Sequence, residues 1–368
     1  MALLAIEEIF MTKKEFDPST FYMPAEWEPH EGTWLQWPQD KVYNGYELKL
    51  ERIWLNMVEA LHEHETVHLI VNGEQQRDHV GDQLEYHKIG LSNIDFQIIP
   101  TNDVWARDNG PIFVINEDGE TAITDWIFNG WGDRFPYDLD DKVPELIGEK
   151  LDLPVFKVPM VLEAGAVEVN GKGTFLATRT SIIDSYRNPD MTQEEIEKIL
   201  SEYLGVKHFI WLTGAGRGEC DQWGDETDSH IDIVARFTNE NTVLYNWTNN
   251  LSDPRYKMFT KSLEELQAAT DQSGNPLTLV PLPLPEVHQT STMTDWRKST
   301  LADAAYSNYL IANKVVLVPV YGHRDDQTAL SIILEQFPDR DVVGIEVVAL
   351  IEHGGAIGCV TQPQPLAI

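Results

Sequence analysis

One run of sequence decides the fold prediction: His353-Gly-Gly-Ala-Ile-Gly-Cys-Val-Thr-Gln362. A polar start precedes a short β-rich stretch here, and the same arrangement begins at Glu31, Arg107, Glu163 and Ser229. These five segments are about 55 to 125 residues apart, which is too irregular to establish a sequence repeat. They predict that five strand ends converge on one central pocket.

The sequence around these runs alternates between strand and helix patterns. We expect helices over 45–64, 192–203, 253–269 and 326–337, and a capping box in which Glu195 follows Thr192 starts the second of them. We expect strands over 66–72, 94–100, 112–115, 174–178, 231–237, 242–246, 314–320 and 342–348. The proline-rich stretch 276–285 indicates an extended edge segment or loop. Strands that alternate with helices are typical of the α/β class.

Composition excludes several classes of protein. The 368 residues include 60 acidic and 27 basic side chains, and the net charge of −33 excludes a general nucleic-acid binder, which needs basic surface against phosphate. The acidity fits either a solvated surface or the steering of a small cation into an acidic cleft. The sequence contains no run of about 18 apolar residues, so we expect no membrane-spanning helix. The chain has only two cysteines, and its first residues do not have the pattern of a secretory signal. We therefore expect reduced thiols in the cytoplasm.

The thiol of Cys359 follows a glycine-rich run, and glycine allows a backbone to come close to a ligand. From spacing alone two interpretations stay open. The thiol is presented to a pocket, where its thiolate attacks a substrate, or it packs in a core as a small hydrophobe. The other cysteine, Cys220, lies in a polar loop whose acidic flanks disfavour a thiolate.

Two acidic residues stand beside turn or small-residue segments. Asp108 precedes Asn-Gly-Pro and a strand pattern, so we expect it at the mouth of a strand, where it faces a pocket or bonds its own backbone in a turn. Glu163 precedes Ala-Gly-Ala-Val, where it faces a ligand or, as most Glu side chains do, lies on the surface.

His230 and Asp232 lie in the predicted strand 231–237 or at its start. Alternation along that strand would place both side chains on one side of the sheet. A His and an Asp among apolar neighbours are costly to bury unless they are paired or functional. As metal ligands they are one residue short, and no HExxH or CxxC motif completes the set. We therefore expect no metal and favour an acid–base pair.

Six segments in order along the chain resemble the agmatine deiminase family, which also includes bacterial peptidylarginine deiminases. The match extends from about residue 20 to the end. The segments are Met23-Pro-Ala-Glu-Trp-Glu-Pro-His, Asn102-Asp-Val-Trp-Ala-Arg-Asp-Asn-Gly-Pro, Asp125-Trp-Ile-Phe-Asn-Gly-Trp-Gly, Glu163-Ala-Gly-Ala-Val-Glu-Val-Asn-Gly-Lys-Gly-Thr, Asp228-Ser-His-Ile-Asp and Gly354-Gly-Ala-Ile-Gly-Cys-Val-Thr-Gln.

The resemblance implies a pentein fold, a five-bladed α/β propeller with pseudo-fivefold symmetry and its site on the central axis. It also implies catalytic roles. Cys359 matches the family nucleophile and His230 its general acid and base. Asp108 and Asp232 match the carboxylates that hold the guanidinium group of the substrate.

Three further residues are expected to bind substrate. Glu163 matches the acidic residue that supports the histidine and the substrate. Trp105 shares the motif of Asp108 and is expected to line the pocket. Gly355 belongs to the nucleophile motif, where the backbone is expected to approach the substrate closely.

The implied reaction is the hydrolytic deimination of a guanidinium compound through a covalent thiouronium on the cysteine, without metal or organic cofactor. Agmatine, converted to N-carbamoylputrescine and ammonia, is the substrate that the acidic chain favours. Free arginine and a peptide's C-terminal arginine are the alternatives. Their carboxylate would need a cationic partner, for which Arg134, Arg217 and Arg324 are candidates. A non-catalytic guanidine-binding protein and a metal hydrolase using His230 are the candidates from other classes.

The nucleophile segment departs from the family pattern. Agmatine deiminases commonly carry Gly-Gly-Gly-Asn-Ile-His-Cys at the nucleophile, whereas this chain has Ala356 in the Asn position and Gly358 in the His position. The nucleophile is kept while its surroundings are altered, which bears on substrate identity more than on reaction type.

The domain prediction has two parts. Residues 1–20 are an N-terminal extension whose order the sequence leaves open, and residues 21–368 are a single catalytic domain. The expected partner is a small cationic guanidinium substrate, with no nucleic acid and no membrane. The oligomeric state stays open, a homo-oligomer included.

Overall fold

The computed structural model describes residues 16–39, 47–286, 288–289 and 301–367. The strands in these ranges are, in chain order, β1 (His30–Gln36), β2 (Thr66–Val71), β3 (Ile94–Ile98), β4 (Ile112–Ile115), β5 (Thr121–Ile127), β6 (Val155–Val161), β7 (Glu168–Val169), β8 (Thr174–Thr178), β9 (His208–Leu212), β10 (Ala235–Phe237), β11 (Thr242–Trp247), β12 (Thr278–Pro283), β13 (His288–Gln289), β14 (Leu301–Ala302), β15 (Leu310–Ile311), β16 (Val315–Val320), β17 (Asp341–Glu346) and β18 (Thr361–Pro365).

The helices in the same ranges are of two kinds, six with nine or more residues and four single turns of four residues. In chain order they are α1 (Glu47–Leu61), α2 (Glu74–Tyr86), α3 (Ala106–Asn109), α4 (Gly130–Asp133), α5 (Val143–Leu151), α6 (Gln193–Leu204), α7 (Arg217–Cys220), α8 (Tyr256–Ala268), α9 (Asp326–Gln336) and α10 (Val348–Ile351).

One strand pattern recurs five times. A first strand pairs antiparallel with a second, which pairs parallel with a third, and a helix connects the two parallel strands because a parallel crossover needs a long connection. The five units are β4-β5-β6, β7-β8-β9, β10-β11-β12, β15-β16-β17 and β18-β1-β2, the last extended by β3. The predicted α/β fold of five blades is confirmed.

The fifth blade joins the two ends of the described chain. β18 pairs antiparallel with β1, with Trp34 opposite Gln362 and Leu35 opposite Thr361. The indole of Trp34 also donates to the side-chain oxygen of Gln364 at 2.9 Å. This closure fixes the segment that carries Cys359, because β18 starts two residues after it.

Apolar side chains of the sheets and helices pack into five buried clusters. The helix α6 shows how the sequence builds one of them. Thr192 and Glu195 form the predicted capping box at its start, and Ile196, Leu200 and Leu204, spaced by four residues, face the core.

Most predicted elements appear within a few residues of their expected bounds, and the proline-rich stretch supplies the edge strand β12. The strand predicted over 231–237 is wrong in its first half. Ile231–Ile233 forms a single 3-10 turn, and β10 covers only Ala235–Phe237. The side-chain amide of Asn246 donates to the carbonyl of Ile233 at 2.7 Å, so a side chain replaces the strand pairing there.

The predicted N-terminal extension lies mostly outside the described residues. Of residues 1–20, the structure describes 16–20, where Pro18–Thr20 forms a 3-10 turn and Phe16 packs edge-on against Phe21. None of the helices in the described ranges has both the length and the apolar character needed to cross a membrane.

Candidate active site

Four of the five predicted segments deliver residues to the centre of the propeller from just before the first strand of a blade. Asp108 lies in α3 before β4, Glu163 before β7, His230 before β10 and Cys359 before β18. The prediction is wrong for the fifth segment, which begins at Glu31 and delivers no residue to the centre. Glu31 is partly exposed and bonds instead with the imidazole of His68 at 2.9 Å.

The fourth blade in chain order contributes a residue that the sequence analysis missed. Asn308 lies two residues before β15, in the position that matches the other four contributors. The physical reason for the correction is topological. β1 is the second strand of its blade, whereas β15 is a first strand, so the residues before β15 reach the axis.

A cavity of about 250 Å³ opens beside these residues. Its acidic lining residues are Asp103, Asp108 and Glu226, and the described lining contains no Lys or Arg. The remaining lining residues are aromatic, polar or small: Asn102, Trp105, Trp131, Phe135, Pro136, Thr227, His353, Gly354 and Cys359. A cavity with acidic and aromatic walls is suited to a small organic cation.

Cys359 sits in a 3-10 turn, Gly358–Val360, at the inner end of this cavity and is buried. Its backbone N–H donates to Oδ1 of Asn308 at 3.2 Å, and the guanidinium of Arg107 donates to the carbonyl of Gly358 at 3.1 Å. These two bonds fix the turn from both sides. Cys359 lines the cavity and also packs within a buried apolar cluster, so both interpretations describe its surroundings, and its role as nucleophile stays a prediction.

Asp232 and Asn308 form a second wall around the sulfur. A small chamber of about 20 Å³ lies between them and Cys359, and Sγ of Cys359 is 4.0 Å from Oδ2 of Asp232. Oδ1 of Asp232 and Nδ2 of Asn308 are buried without a hydrogen-bond partner among the described residues. An acceptor and a donor left open next to a thiol are available to a substrate.

The imidazole of His230 is buried between two carboxylates. Nε2 lies 3.4 Å from Oε2 of Glu163, and Nδ1 lies 3.6 Å from Oδ1 of Asp108. Burial lowers the pKa of His230, but the charge of Asp108 and the contact with Glu163 outweigh it and raise that pKa to about 9. The histidine is thus protonated near neutral pH and able to donate a proton.

Asp108 is aligned by two donors. The indole N–H of Trp131 reaches Oδ2 at 2.9 Å, and the backbone N–H of Gly165 reaches Oδ1 at 3.2 Å. Burial raises the pKa of Asp108 to about 6, with His230 opposing and Asp232 adding to the shift. The predicted position of Asp108 at a strand mouth is confirmed, and its side chain faces the cavity rather than a local turn.

Glu163 is fully buried and does not line the cavity, so the surface interpretation is wrong. Nε–H of Arg187 donates to both carboxylate oxygens of Glu163, at 3.0 Å to Oε1 and 2.8 Å to Oε2. Burial raises the pKa of Glu163, but Arg187 and His230 outweigh it and lower that pKa. The Glu163 carboxylate is therefore negatively charged and contacts the imidazole of His230 directly.

Trp105 and Gly355 both lie next to the sulfur. Trp105 lines the large cavity, and Gly355 lines the small chamber. A Cβ on Gly355 would lie 2.5 Å from the Trp105 ring and 3.1 Å from Sγ of Cys359, so only glycine fits there. The Gly355 backbone thus lies close to Trp105 and Cys359, whereas its close approach to a substrate and substrate binding by both residues stay predictions.

The pKa of the Cys359 thiol is raised well above its usual value, first by burial and then by Asp232 and Asp108. The cavity is thus lined by a neutral thiol and by Asp108, which contacts the cationic imidazole of His230. A bound cation would reverse this effect on the thiol, because positive charge nearby favours the thiolate. The arrangement can therefore activate sulfur when a cation binds between the carboxylates.

None of the three arginines considered for binding a substrate carboxylate lines the cavity. Arg134 pairs with Asp221 and Asp228, and Arg217 donates to backbone carbonyls. Arg324 is mostly exposed. Within the part of the chain that the structure describes, no group of three or more His, Cys, Asp or Glu side chains is placed to hold a metal ion.

A model of the Porphyromonas-type peptidyl-arginine deiminase family matches residues 22–365. The chain belongs to this family. A protein of Legionella pneumophila (strain Paris) with the provisional name agmatine deiminase is 32% identical over 349 residues, which cover 94% of this chain and 95% of that protein.

Two solved structures resemble this family member over almost its whole length. The agmatine deiminase of Enterococcus faecalis superposes with a TM-score of 0.87 at 30% identity, covering 96% of this chain and 99% of that one. A Cys-to-Ser variant of the agmatine deiminase of C. jejuni, with substrate bound, superposes with a TM-score of 0.81 at 26% identity, covering 94% of this chain and 96% of that one. The resemblance predicted from the six segments is confirmed.

Sequence reasoning missed three residues at this family member's site. Asn308 precedes a β-rich stretch, Tyr309–Ala312, so the signal used for the other segments would have found it. Trp131 lies in one of the six segments but was given no role. Arg187 lies in an irregular stretch far from Glu163 in sequence, and no local pattern marks it.

Proposed function

We propose that the chain is an agmatine deiminase, which hydrolyses agmatine to N-carbamoylputrescine and ammonia. The observation that carries the proposal is the cavity that ends at Cys359, whose described lining holds three carboxylates and no Lys or Arg. Agmatine has a guanidinium at one end and an ammonium at the other. Such a dication gains from acids along the whole cavity, whereas the carboxylate of arginine would face like charge.

The guanidinium would lie between Asp108 and Asp232. These carboxylates come from different blades and flank the sulfur, one in the large cavity and one in the small chamber. Charge-assisted hydrogen bonds from the planar cation to both acids would orient its carbon toward Sγ. Glu226, on the wall of the same cavity beside Gly354, is the acid we assign to the ammonium end.

The first half of the reaction makes the covalent adduct. The bound cation lowers the pKa of the thiol, which loses its proton to water, and the thiolate attacks the guanidinium carbon to form a C–S bond. His230, protonated because of Asp108 and Glu163, gives its proton to the departing nitrogen. The C–N bond breaks, ammonia leaves, and a thiouronium remains on Cys359.

The second half consumes water. The now neutral His230 takes a proton from water, which attacks the thiouronium carbon. The C–S bond breaks, the electron pair returns to sulfur, and the hydroxyl proton restores the thiol, so that one water has replaced one ammonia. The product carries a ureido group. Asn308, whose Nδ2 has no hydrogen-bond partner among the described residues, is placed to donate to the sulfur when it is anionic.

The test compares ammonia release from agmatine, free arginine, a peptide ending in arginine, and butylguanidine, which lacks the ammonium. Agmatine should have the highest kcat/KM, by about tenfold or more over butylguanidine, because butylguanidine lacks the ammonium that would make a charge-assisted contact with Glu226. Glu226→Gln should remove most of that difference by raising KM for agmatine alone. Full activity after exhaustive chelation is expected and would eliminate the metal hydrolase.

Two outcomes would overturn the proposal. Faster turnover of the peptide ending in arginine would make the chain a peptidylarginine deiminase, the activity named by its family model. Binding of agmatine without ammonia release by the unmodified protein would favour a guanidine-binding protein instead.

A further inference from the structure

The turn α4, Gly130–Asp133, has an unusual backbone. All four residues have positive φ, at 62°, 56°, 73° and 59°. Trp131 and Asp133 are not glycine, and in L-residues this conformation brings Cβ close to the following carbonyl. Single residues adopt it in turns, but a run of four persists only where the surroundings hold it in place.

Arg217 and Asn129 hold this turn. Nη2 of Arg217 donates to the carbonyls of Trp131 at 2.8 Å and Gly132 at 3.0 Å. Oδ1 of Asn129 accepts from the N–H of Gly132 at 2.8 Å. These bonds satisfy backbone groups that a left-handed turn leaves open.

The guanidinium of Arg217 is fixed in turn by an aromatic ring. Its carbon lies 3.6 Å from the ring centroid of Tyr186, which is the distance of a stacked cation–π contact. Nδ2 of Asn129 donates to the carbonyl of Tyr186 at 2.9 Å, so the backbone of Tyr186 is also tied to the residue that precedes the turn. A Cβ on Gly132 would lie 2.6 Å from Cβ of Tyr186 and would clash with Arg217.

The turn matters because it aims the Trp131 side chain inward. The indole lies edge-on to Phe128 and Phe135, with ring centroids 5.0 and 5.5 Å apart, and lines the cavity. Its N–H reaches Oδ2 of Asp108 at 2.9 Å. A right-handed turn at the same place would point the indole elsewhere, and Asp108 would lose a donor.

We infer that Arg217, stacked on Tyr186, is a positioning residue that fixes Trp131 and, through it, the carboxylate of Asp108. The inference rests on the proposed function, in which Asp108 holds the guanidinium of the substrate. It also gives Arg217 a role other than recognition of a substrate carboxylate, because Nη2 is already engaged by two carbonyls.

The test uses Arg217→Met, which keeps an apolar chain, with Arg217→Lys as the conservative variant. Arg324→Ala, at an exposed arginine, is the matched control. For agmatine, Arg217→Met should raise KM about tenfold or more and lower kcat less, because the guanidinium loses an aligned acid in the bound state. Arg217→Lys should recover part of the loss, since an ammonium can reach a carbonyl but cannot stack as a plane.

A second pair of variants isolates the ring. Tyr186→Phe keeps the stacked face, so its KM for agmatine should equal that of the unmodified protein. Tyr186→Ala should have a KM between those of the unmodified protein and Arg217→Met. The acid limb of kcat/KM should also move to higher pH in Arg217→Met. Asp108, which faces His230, Asp232 and Glu163, then loses the Trp131 hydrogen bond that favours its charged form.

Amide hydrogen exchange of residues 129–135 tests the clamp without any substrate. Exchange should be faster in Arg217→Met and unchanged in Arg324→Ala. Unchanged exchange in Arg217→Met, or a KM equal to that of Arg324→Ala, would overturn the inference. If the unmodified protein released no ammonia from agmatine, the proposed function would fail, and the exchange data would still decide whether Arg217 holds the turn.

Discussion

Cys359 and Cys220 lie in two regions that both bury a thiol, and the regions differ in what faces the sulfur. Sγ of Cys220 lies 3.1 Å from the carbonyl of Ala215 and 3.3 Å from Oγ of Ser229, inside a cluster that includes Trp223. Sγ of Cys359 faces a cavity and a chamber walled by Asp108 and Asp232.

Burial raises the pKa of both thiols, so the pKa by itself does not distinguish them. The difference is space for a cation. A guanidinium beside Cys359 would be paired by carboxylates and would stabilise the thiolate, whereas Cys220 is fully buried inside an apolar cluster. A buried thiol is therefore assigned a role by the open volume and the charges next to it.

The largest effect is expected from Cys359→Ser. Turnover of agmatine should fall by at least about a thousandfold, because a serine hydroxyl is a far weaker nucleophile without a base to activate it. Agmatine binding should stay within severalfold, since Asp108 and Asp232 are untouched. Steady-state kinetics and calorimetric titration measure the two quantities.

Circular dichroism of Cys359→Ser serves as the control for folding. A variant that kept more than about a tenth of the activity would remove Cys359 from the role of nucleophile. Cys220 would then be the next thiol to test.

An intermediate effect is expected from pH. Below the pKa of Asp108, near 6, the acid loses the charge that holds the cation, so kcat/KM falls as pH falls. Above the pKa of His230, near 9, the imidazole loses the proton that it must donate, so kcat/KM falls as pH rises. The expected profile is a bell, with losses of about tenfold per pH unit outside these limits.

The profile is measured with agmatine well below KM, with protein stability checked at each pH. Rising activity through pH 9 and beyond would contradict the role of His230 as a proton donor.

The smallest effect is expected from Cys220→Ser. The hydroxyl can still donate to the carbonyl of Ala215, so the cost is a more polar group in an apolar cluster, about 1 kcal/mol of the free energy of unfolding. Activity should stay within about twofold. Urea unfolding and kcat/KM measure the two effects. A tenfold loss of activity at unchanged stability would show instead that Cys220 acts on His230 through Ser229.

Local patterns predicted much of the molecule. Alternating strands and helices fixed the α/β class, and the capping box at Thr192 and Glu195 was found where the sequence placed it. Asp108 and Cys359 were identified because turn and glycine signals mark the chain just before a strand. His230 and Asp232 were identified for the wrong local reason, since their segment is a 3-10 turn rather than a strand.

The sequence by itself determined the elements, the acidic character and the residue types of the site, because these depend on spacing and chemistry within a few residues. Only the tertiary structure decided which strand of each blade faces the axis. It also decided that Asn308, and not Glu31, is the fifth central residue. The contacts of Arg187 with Glu163 and of Arg217 with the Trp131 turn likewise depend on it. These contacts join residues far apart in the chain. Their geometry follows from the closure of β18 onto β1 and the packing of five blades, which no local pattern encodes.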